Sequence, residues 1–257
     1  MSSAQRRSVI LGTGSELPSK VVTNHDLEKM VETSDEWITV RTGIKERRVL
    51  EEGKGNADMA FRAARRALKD AQMQATDLDA IIMGTVTPDY PFPSSACVLE
   101  DMLGARNVFS FDVGAACSGF LNALSVADSF IRTGQINNAL VVGSDALSRL
   151  LNWQDRGTCI LFGDGAGAVV LGASQNGSGI LSTRLRTDGS YVKTLYVPAG
   201  GSLKPATRET VQRNEHTITM NGKEVFKIAV RSMEEISRQA LIEADVQVSE
   251  VALVIPH

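Results

Sequence analysis

The sequence predicts an α/β layered fold built from one unit used twice, with the second copy incomplete. Two observations predict it. Short apolar runs that read as buried strands alternate with amphipathic helical stretches, the pattern of a mostly parallel sheet with helices packed on its faces. Residues 67–82 also align without a gap with residues 240–255: Ala67, Leu68, Ala71 and Gln74 recur as Ala240, Leu241, Ala244 and Gln247. Asp70, Thr76 and Asp77 recur in kind as Glu243, Ser249 and Glu250, and both stretches end in an apolar run that reads as a buried strand.

Taken in order, residues 8–12 read as a buried strand. Asn24 and Ser34 each sit where a side-chain oxygen can cap a short helix, ahead of Leu27-Met30-Val31 and Trp37-Ile38. Residues 57–73 form an amphipathic helix: Ala60, Phe61, Ala64, Ala67, Leu68 and Ala71 share a face, and Arg62, Arg65, Arg66 and Lys69 fall largely elsewhere. Residues 80–83 are a strand, 108–113 a strand, 118–132 a helix, and 139–143 and 166–171 further strands.

The repeat divides the chain into 1–177 and 178–257. After residue 82 the first copy runs on for about 90 residues before its core closes, and by analogy between copies about 90 are expected to be missing from the second. A strand at the very end of a chain, without partner strands, leaves a sheet edge and apolar helix faces uncovered.

At 257 residues with 43% hydrophobic content the chain can bury a sizeable core. A net charge of −3 and the absence of any long basic run argue against nucleic-acid binding. Gln5-Arg6-Arg7-Ser8-Val9-Ile10-Leu11 has the look of a twin-arginine export signal, but Gly12 and Glu16 cut its apolar run short. No apolar stretch approaches the roughly 20 residues that a spanning helix needs. Three cysteines, Cys97, Cys117 and Cys159, without metal-like spacing fit a reducing compartment, so a soluble cytoplasmic protein is expected.

Cys117 follows a strand, lies among small residues in Asp112-Val113-Gly114-Ala115-Ala116-Cys117-Ser118-Gly119-Phe120, and opens a helix. A helix N-terminus stabilises a thiolate and small neighbours admit a bulky acyl group, which makes Cys117 a candidate nucleophile. The alternative is a small buried hydrophobe, a description that also suits Cys97 and Cys159. Gly163-Asp164-Gly165-Ala166-Gly167 looks like a dinucleotide loop but runs into a strand, where such loops open a helix, and this disfavours a Rossmann dehydrogenase. Its glycines allow close backbone approach beside the active site, or form a plain tight turn.

The segment from Asp112 to Phe120 resembles the active-site segment of the β-ketoacyl-[acyl-carrier-protein] synthase III family. Five further segments agree with it: Gly12-Thr13-Gly14-Ser15 with Leu17-Pro18; Thr33-Ser34-Asp35-Glu36-Trp37-Ile38 with Arg41-Thr42-Gly43-Ile44; Asp155-Arg156-Gly157-Thr158; Phe162-Gly163-Asp164-Gly165-Ala166-Gly167-Ala168; and the stretch from Asn221 to Phe226. The resemblance covers essentially the whole chain. It implies a thiolase-like duplicated αβαβα fold, with Cys117 as the acyl acceptor and His257, after Val254-Ile255-Pro256, as the catalytic histidine. It also places Thr33, Trp37, Arg41 and Arg156 around the nucleotide end of coenzyme A, where indole and guanidinium planes stack an adenine and cations meet phosphates. Phe226 is placed beside the pantetheine channel, Phe92 at a partner subunit's acyl pocket, and Lys227 in a basic patch for acyl carrier protein; core packing is the plain alternative for the two phenylalanines. His25 and His216, in polar surroundings, are expected at the surface.

The implied reaction condenses a short acyl-coenzyme A, acetyl-coenzyme A above all, with malonyl-[acyl-carrier-protein] through an acyl-cysteine, without a metal or prosthetic group, in a homodimer with no membrane insertion. Leu147, Leu150 and Phe92 are expected to shape the acyl pocket. The family's catalytic asparagine and its glycine-rich C-terminal segment lie beyond this histidine in the family and are expected to have no counterpart here. One lost oxyanion donor costs about 3 kcal/mol, so the chain as it stands is expected to be almost inactive. A related condensing enzyme of secondary metabolism and a non-catalytic fragment that only associates are the competing readings.

Overall fold

A computed structural model describes residues 6–257. Gln5, the first residue of the twin-arginine-like run, lies outside the described residues.

The chain opens with strand β1 (Ser8–Glu16), strand β2 (Lys20–Thr23), helix α1 (Asn24–Glu28), helix α2 (Asp35–Thr42), strand β3 (Glu46–Val49) and helix α3 (Asn56–Asp70). Strand β4 (Ala80–Gly84), helix α4 (Ser95–Leu103), strand β5 (Phe109–Val113), helix α5 (Gly119–Arg132) and strand β6 (Asn138–Ala146) come next. Then follow the single turn α6 (Arg156–Cys159), strand β7 (Asp164–Ala173), strand β8 (Leu195–Tyr196), helix α7 (Arg208–Gln212), strand β9 (Thr219–Met220) and the long helix α8 (Gly222–Ala244).

Five strands form one sheet in the order β1-β7-β6-β4-β5. Strand β4 is parallel to both β6 and β5, whereas β7 is antiparallel to both β1 and β6. The sheet is therefore mixed and not mostly parallel. The uninterrupted apolar run in β7 reflects burial on both faces, which either strand direction allows.

Side chains alternate across the sheet, and each face has its own core. Ile81 and Met83 of β4 join Leu140, Val142, Ala168 and Val170 under α3 and α4. Ala80 and Ile82 join Val141, Val169 and Leu171 under α5, through Ala123, Ala127 and Ile131. The face of α3 is mostly alanine at Ala60, Ala63, Ala64 and Ala67, all fully buried, so the helix lies close to the strands. This layer of helix, sheet and helix is the thiolase-like arrangement that the sequence anticipates.

Ser34 caps α2 by accepting a hydrogen bond from the Trp37 amide at 3.1 Å. At α1 the expectation is corrected: Thr23 is the cap, in a reciprocal box with Asp26. Asn24 is the first helical residue, buried, and its amide donates to Asp35 and to the Ile44 carbonyl, both at 2.8 Å.

The second repeat copy departs further from expectation. Helix α8 forms as the pattern predicts, but none of its residues is buried. It is tied to the preceding segment by Arg184–Glu243 at 2.6 Å, Arg186–Glu235 at 2.9 Å and a Ser182 hydroxyl on the Ala240 carbonyl. Residues 251–257 have no regular structure, and Leu253, Val254 and Ile255 are exposed. The expected buried strand is absent there because the strands of the large sheet all come from residues 8–173, and 251–255 pair with none of them.

Candidate active site

Strand β5 delivers the chain to Val113, and a tight turn at Ala116–Ser118 leads straight into α5. Two features hold this elbow. Ala116 adopts φ +44°, a left-handed conformation that costs an alanine about 1–2 kcal/mol and persists only where its surroundings enforce it. Gly84, the last residue of β4, lies directly against the Gly119 carbonyl, so that any side chain there collides with the start of α5. Asp112 ties β5 to α4 by accepting from the Ser95 and Ala96 amides at 2.7 and 2.8 Å.

Cys117 is thereby presented at the surface and at the same time on the wall of a cavity of about 430 Å³. Val86, Leu147, Leu150, Phe162 and Ile218 give this cavity an apolar wall, and Asp145 and His257 join them. The two residues that the sequence singles out as catalytic thus meet in one cavity although they lie far apart in the chain. The ionisation of the thiol departs from expectation. Loss of solvent around the sulfur pushes the Cys117 thiol up, its backbone amide pulls it down, and the Asp145 carboxylate pushes it up again. The helix mouth does not outweigh the apolar wall. Cys159 is buried in the cluster of Val22, Leu27 and Ile38, a packing residue as expected, while Cys97 is exposed beside Ser94 and Ser110.

A second constellation forms around Trp37. The guanidinium of Arg41 lies 4.4 Å from the centre of its ring and that of Arg156 lies 4.6 Å away. Arg156 is steadied by the Glu32 carbonyl at 2.8 Å, and Arg41 by the Trp37 carbonyl. Thr33, next to Glu32, has a buried hydroxyl with no hydrogen-bond partner among the described residues. The three planar groups suit a flat, anionic ligand. Arg156 opens α6, and Phe162, shortly after that turn, reaches the Cys117 cavity, so one short segment connects the two constellations.

Other expected site residues stand apart. Phe226, in the first turns of α8, is 72% exposed, and Phe92 is 86% exposed; neither lines the cavity. Leu147 and Leu150 do line it. The glycine stretch begins β7: Gly163 packs on the backbone of Arg48, and buried Asp164 accepts from the Leu50 amide and from the Ser148 amide and hydroxyl. His25 is exposed and pairs with Glu28. His216 is only partly exposed, and its enclosed Nδ1 has no hydrogen-bond partner among the described residues.

Sequence reasoning missed Asp145 and Val86. The available signal was position: Asp145 lies at the C-terminal end of a strand parallel to its neighbour, where sites in α/β sheets concentrate. Among the described residues no cluster of three or more metal-ligating side chains occurs. Among those residues no helix is long and apolar enough to cross a membrane.

Comparison with known proteins bears on the reaction. Residues 111–189, which contain the Cys117 elbow, match the family model for 3-oxoacyl-[acyl-carrier-protein] synthase III. The chain is 52% identical over 248 residues to a β-ketoacyl-[acyl-carrier-protein] synthase III of Caldanaerobacter subterraneus, covering 96% of this chain and 75% of the relative. The crystal structure of 3-oxoacyl-[acyl-carrier-protein] synthase III from Aquifex aeolicus superposes with a TM-score of 0.88 at 49% identity, covering 97% of this chain and 76% of that one. A priming β-ketosynthase of a polyketide pathway superposes with a TM-score of 0.84 at 31% identity, covering 98% of this chain and 74% of that one.

Proposed function

The chain belongs to the β-ketoacyl-[acyl-carrier-protein] synthase III family of condensing acyltransferases that initiate fatty acid synthesis, and from that premise we propose that Cys117 and His257 carry its reaction. The observation that carries this reading is that both line one largely apolar cavity and that Cys117 is an exposed residue.

In the first half-reaction the Cys117 thiol gives up its proton and Sγ attacks the carbonyl carbon of an acyl-coenzyme A. The bond from that carbon to the sulfur of coenzyme A breaks, and coenzyme A leaves as the thiol. In the second, a malonyl thioester on acyl carrier protein loses carbon dioxide, and its enolate attacks the acyl-cysteine carbonyl. Sγ departs and recovers a proton. A ring N–H of the His257 imidazole donates to the enolate oxygen and stabilises the charge that develops there. An apolar wall favours the decarboxylation, because it converts a localised carboxylate charge into a dispersed enolate and neutral carbon dioxide.

The Trp37 constellation takes the nucleotide end of the donor: Trp37, Arg41 and Arg156 stack and pair, and Thr33 borders them with its hydroxyl enclosed. Phe226 and Lys227 on α8 are exposed and free to meet the carrier arm and an acidic carrier protein. A homodimer fits the edge position of β5, where Phe109 is exposed, since a bare apolar edge invites a symmetric partner. Acetyl-coenzyme A as donor, the absence of a prosthetic group, a cytoplasmic location and a division at 1–177 and 178–257 belong to the same reading. A role in polyketide priming is the second reading, favoured by the 31% identical priming synthase; the 52% identity to the fatty-acid enzyme favours the first.

The test separates the half-reactions. With acetyl-coenzyme A and malonyl-acyl carrier protein, His257→Ala should still release coenzyme A and form the acyl-enzyme while 3-oxobutyryl product falls about a hundredfold or more. Equal loss of both steps in His257→Ala, or product formation at the wild-type rate, contradicts the assignment.

A further inference from the structure

The cavity wall beside Cys117 is formed in part by Val86, which lies beyond the end of β4 with 38% of its surface exposed. A residue in such a turn keeps its place only if its backbone is held. One carboxylate oxygen holds it here: Oδ1 of Asp145 accepts from the Val86 amide at 2.8 Å, the Thr87 amide at 3.2 Å, the Thr87 hydroxyl at 2.9 Å and the Thr85 hydroxyl at 3.0 Å. The turn is braced from behind. The Thr87 hydroxyl accepts from the Ala146 amide at 2.8 Å, and the Thr85 hydroxyl from the Asn56 amide group at 2.8 Å. Asn56 and Ser144 are buried and bond to each other. Among the described residues, Oδ2 of Asp145 accepts no side-chain or backbone hydrogen bond, and Asp145 itself lines the cavity.

We propose that Asp145 is a positioning residue that sets which acyl groups Cys117 accepts: it clamps the turn 85–87 and so fixes Val86 as a wall of the acyl cavity. This inference rests on Cys117 being the acyl acceptor. Neither Asp145 nor the turn exchanges a proton or bond with the substrate; the effect passes through Val86.

Substitution separates the clamp from general stability. Asp145→Asn keeps Oδ1 as an acceptor for all four donors and replaces only the oxygen without a partner. Asp145→Ala removes the clamp, Thr87→Val removes its brace to Ala146, and Val86→Ala removes the wall. The readout is the ratio of kcat/KM for Cys117 acylation by butyryl- against acetyl-coenzyme A, measured on the full chain. A pocket changed by about one methylene shifts such a ratio about tenfold.

The expected result is a ratio raised about tenfold in Asp145→Ala and Val86→Ala, raised in Thr87→Val, and within about twofold of wild type in Asp145→Asn. A merely structural role lowers acylation by both donors alike and leaves the ratio unmoved. An unmoved ratio in Asp145→Ala and Val86→Ala, or a shift in Asp145→Asn as large as in Asp145→Ala, overturns the inference. Should Asp145→Ala not fold, Thr87→Val and Val86→Ala decide alone, an unmoved ratio in both overturning it. Wild-type protein that takes up neither acyl group on Cys117 overturns the functional reading itself, a result distinct from acylation with an unmoved ratio.

Discussion

A thiol beside an apolar wall feels opposing pulls, and at Cys117 desolvation prevails, with Asp145 on the same side. Because the folded thiol is raised, the thiolate fraction at neutral pH is small and grows as pH rises. The rate of Cys117 alkylation by iodoacetamide should therefore have its midpoint above the ordinary thiol value. Asp145→Asn, which removes a nearby negative charge, should move that midpoint down; a midpoint that stays or rises contradicts the assigned role of the charge. Trp37 allows a second prediction at this scale. Removing the ring on which Arg41 and Arg156 are held should raise KM for acyl-coenzyme A about tenfold with a smaller change in kcat, because stacking on that ring is worth about 1–2 kcal/mol. Steady-state kinetics of Trp37→Ala checks it. The cysteine was legible in the sequence because its setting, a strand followed by small residues and a helix, is itself sequence. Asp145 was not, since a single aspartate after an apolar run does not disclose that one of its oxygens gathers four donors from the turn that follows another strand.

The elbow and the caps carry predictions at the scale of elements. Gly84→Ala forces β4 away from the start of α5, and since the obstacle is backbone, overpacking there should cost about 3 kcal/mol in denaturant unfolding and slow Cys117 acylation with it. A variant as stable as wild type would show that α5 has room. The capping box at α1 and the Ser19–Glu51 contact lower two carboxylates, Asp26 chiefly through the Thr23 hydroxyl and Glu51 chiefly through the Ser19 hydroxyl, each to about 2. Their folded values lie below the unfolded ones, near 4, so their contribution is present above that range and is lost as pH falls toward 2. Asp26→Asn and Glu51→Gln should flatten the stability profile in that window and leave its slope above pH 5 unchanged, as denaturant titration at several pH values would reveal. Helix and strand positions were largely readable from periodicity. Strand direction was not: β4 and residues 168–171 of β7 are equally apolar, and only the connections between strands decide which way each runs.

Across the whole molecule, burial is unequal. The five-stranded sheet and its three covering helices hold most of the buried hydrophobic residues, while α8 holds none and residues 252–257 are exposed. Hydrogen exchange should accordingly find the amides of β4 and β6 protected far longer than those of α8, and limited proteolysis should cut within 178–257 before it cuts within 8–173. Equal protection in both parts contradicts this distribution. The duplication was readable as sequence, yet the second strand it promised did not form, because a strand exists only where another backbone accepts its hydrogen bonds.

The most direct measurement of the central claim is peptide mapping by mass spectrometry after brief exposure of the full chain to acetyl-coenzyme A. One acetyl group should appear on the peptide that contains Cys117, none on those with Cys97 or Cys159, and none at all in Cys117→Ser. An acetyl group still gained by Cys117→Ser, or found on another cysteine of the wild type, contradicts the account.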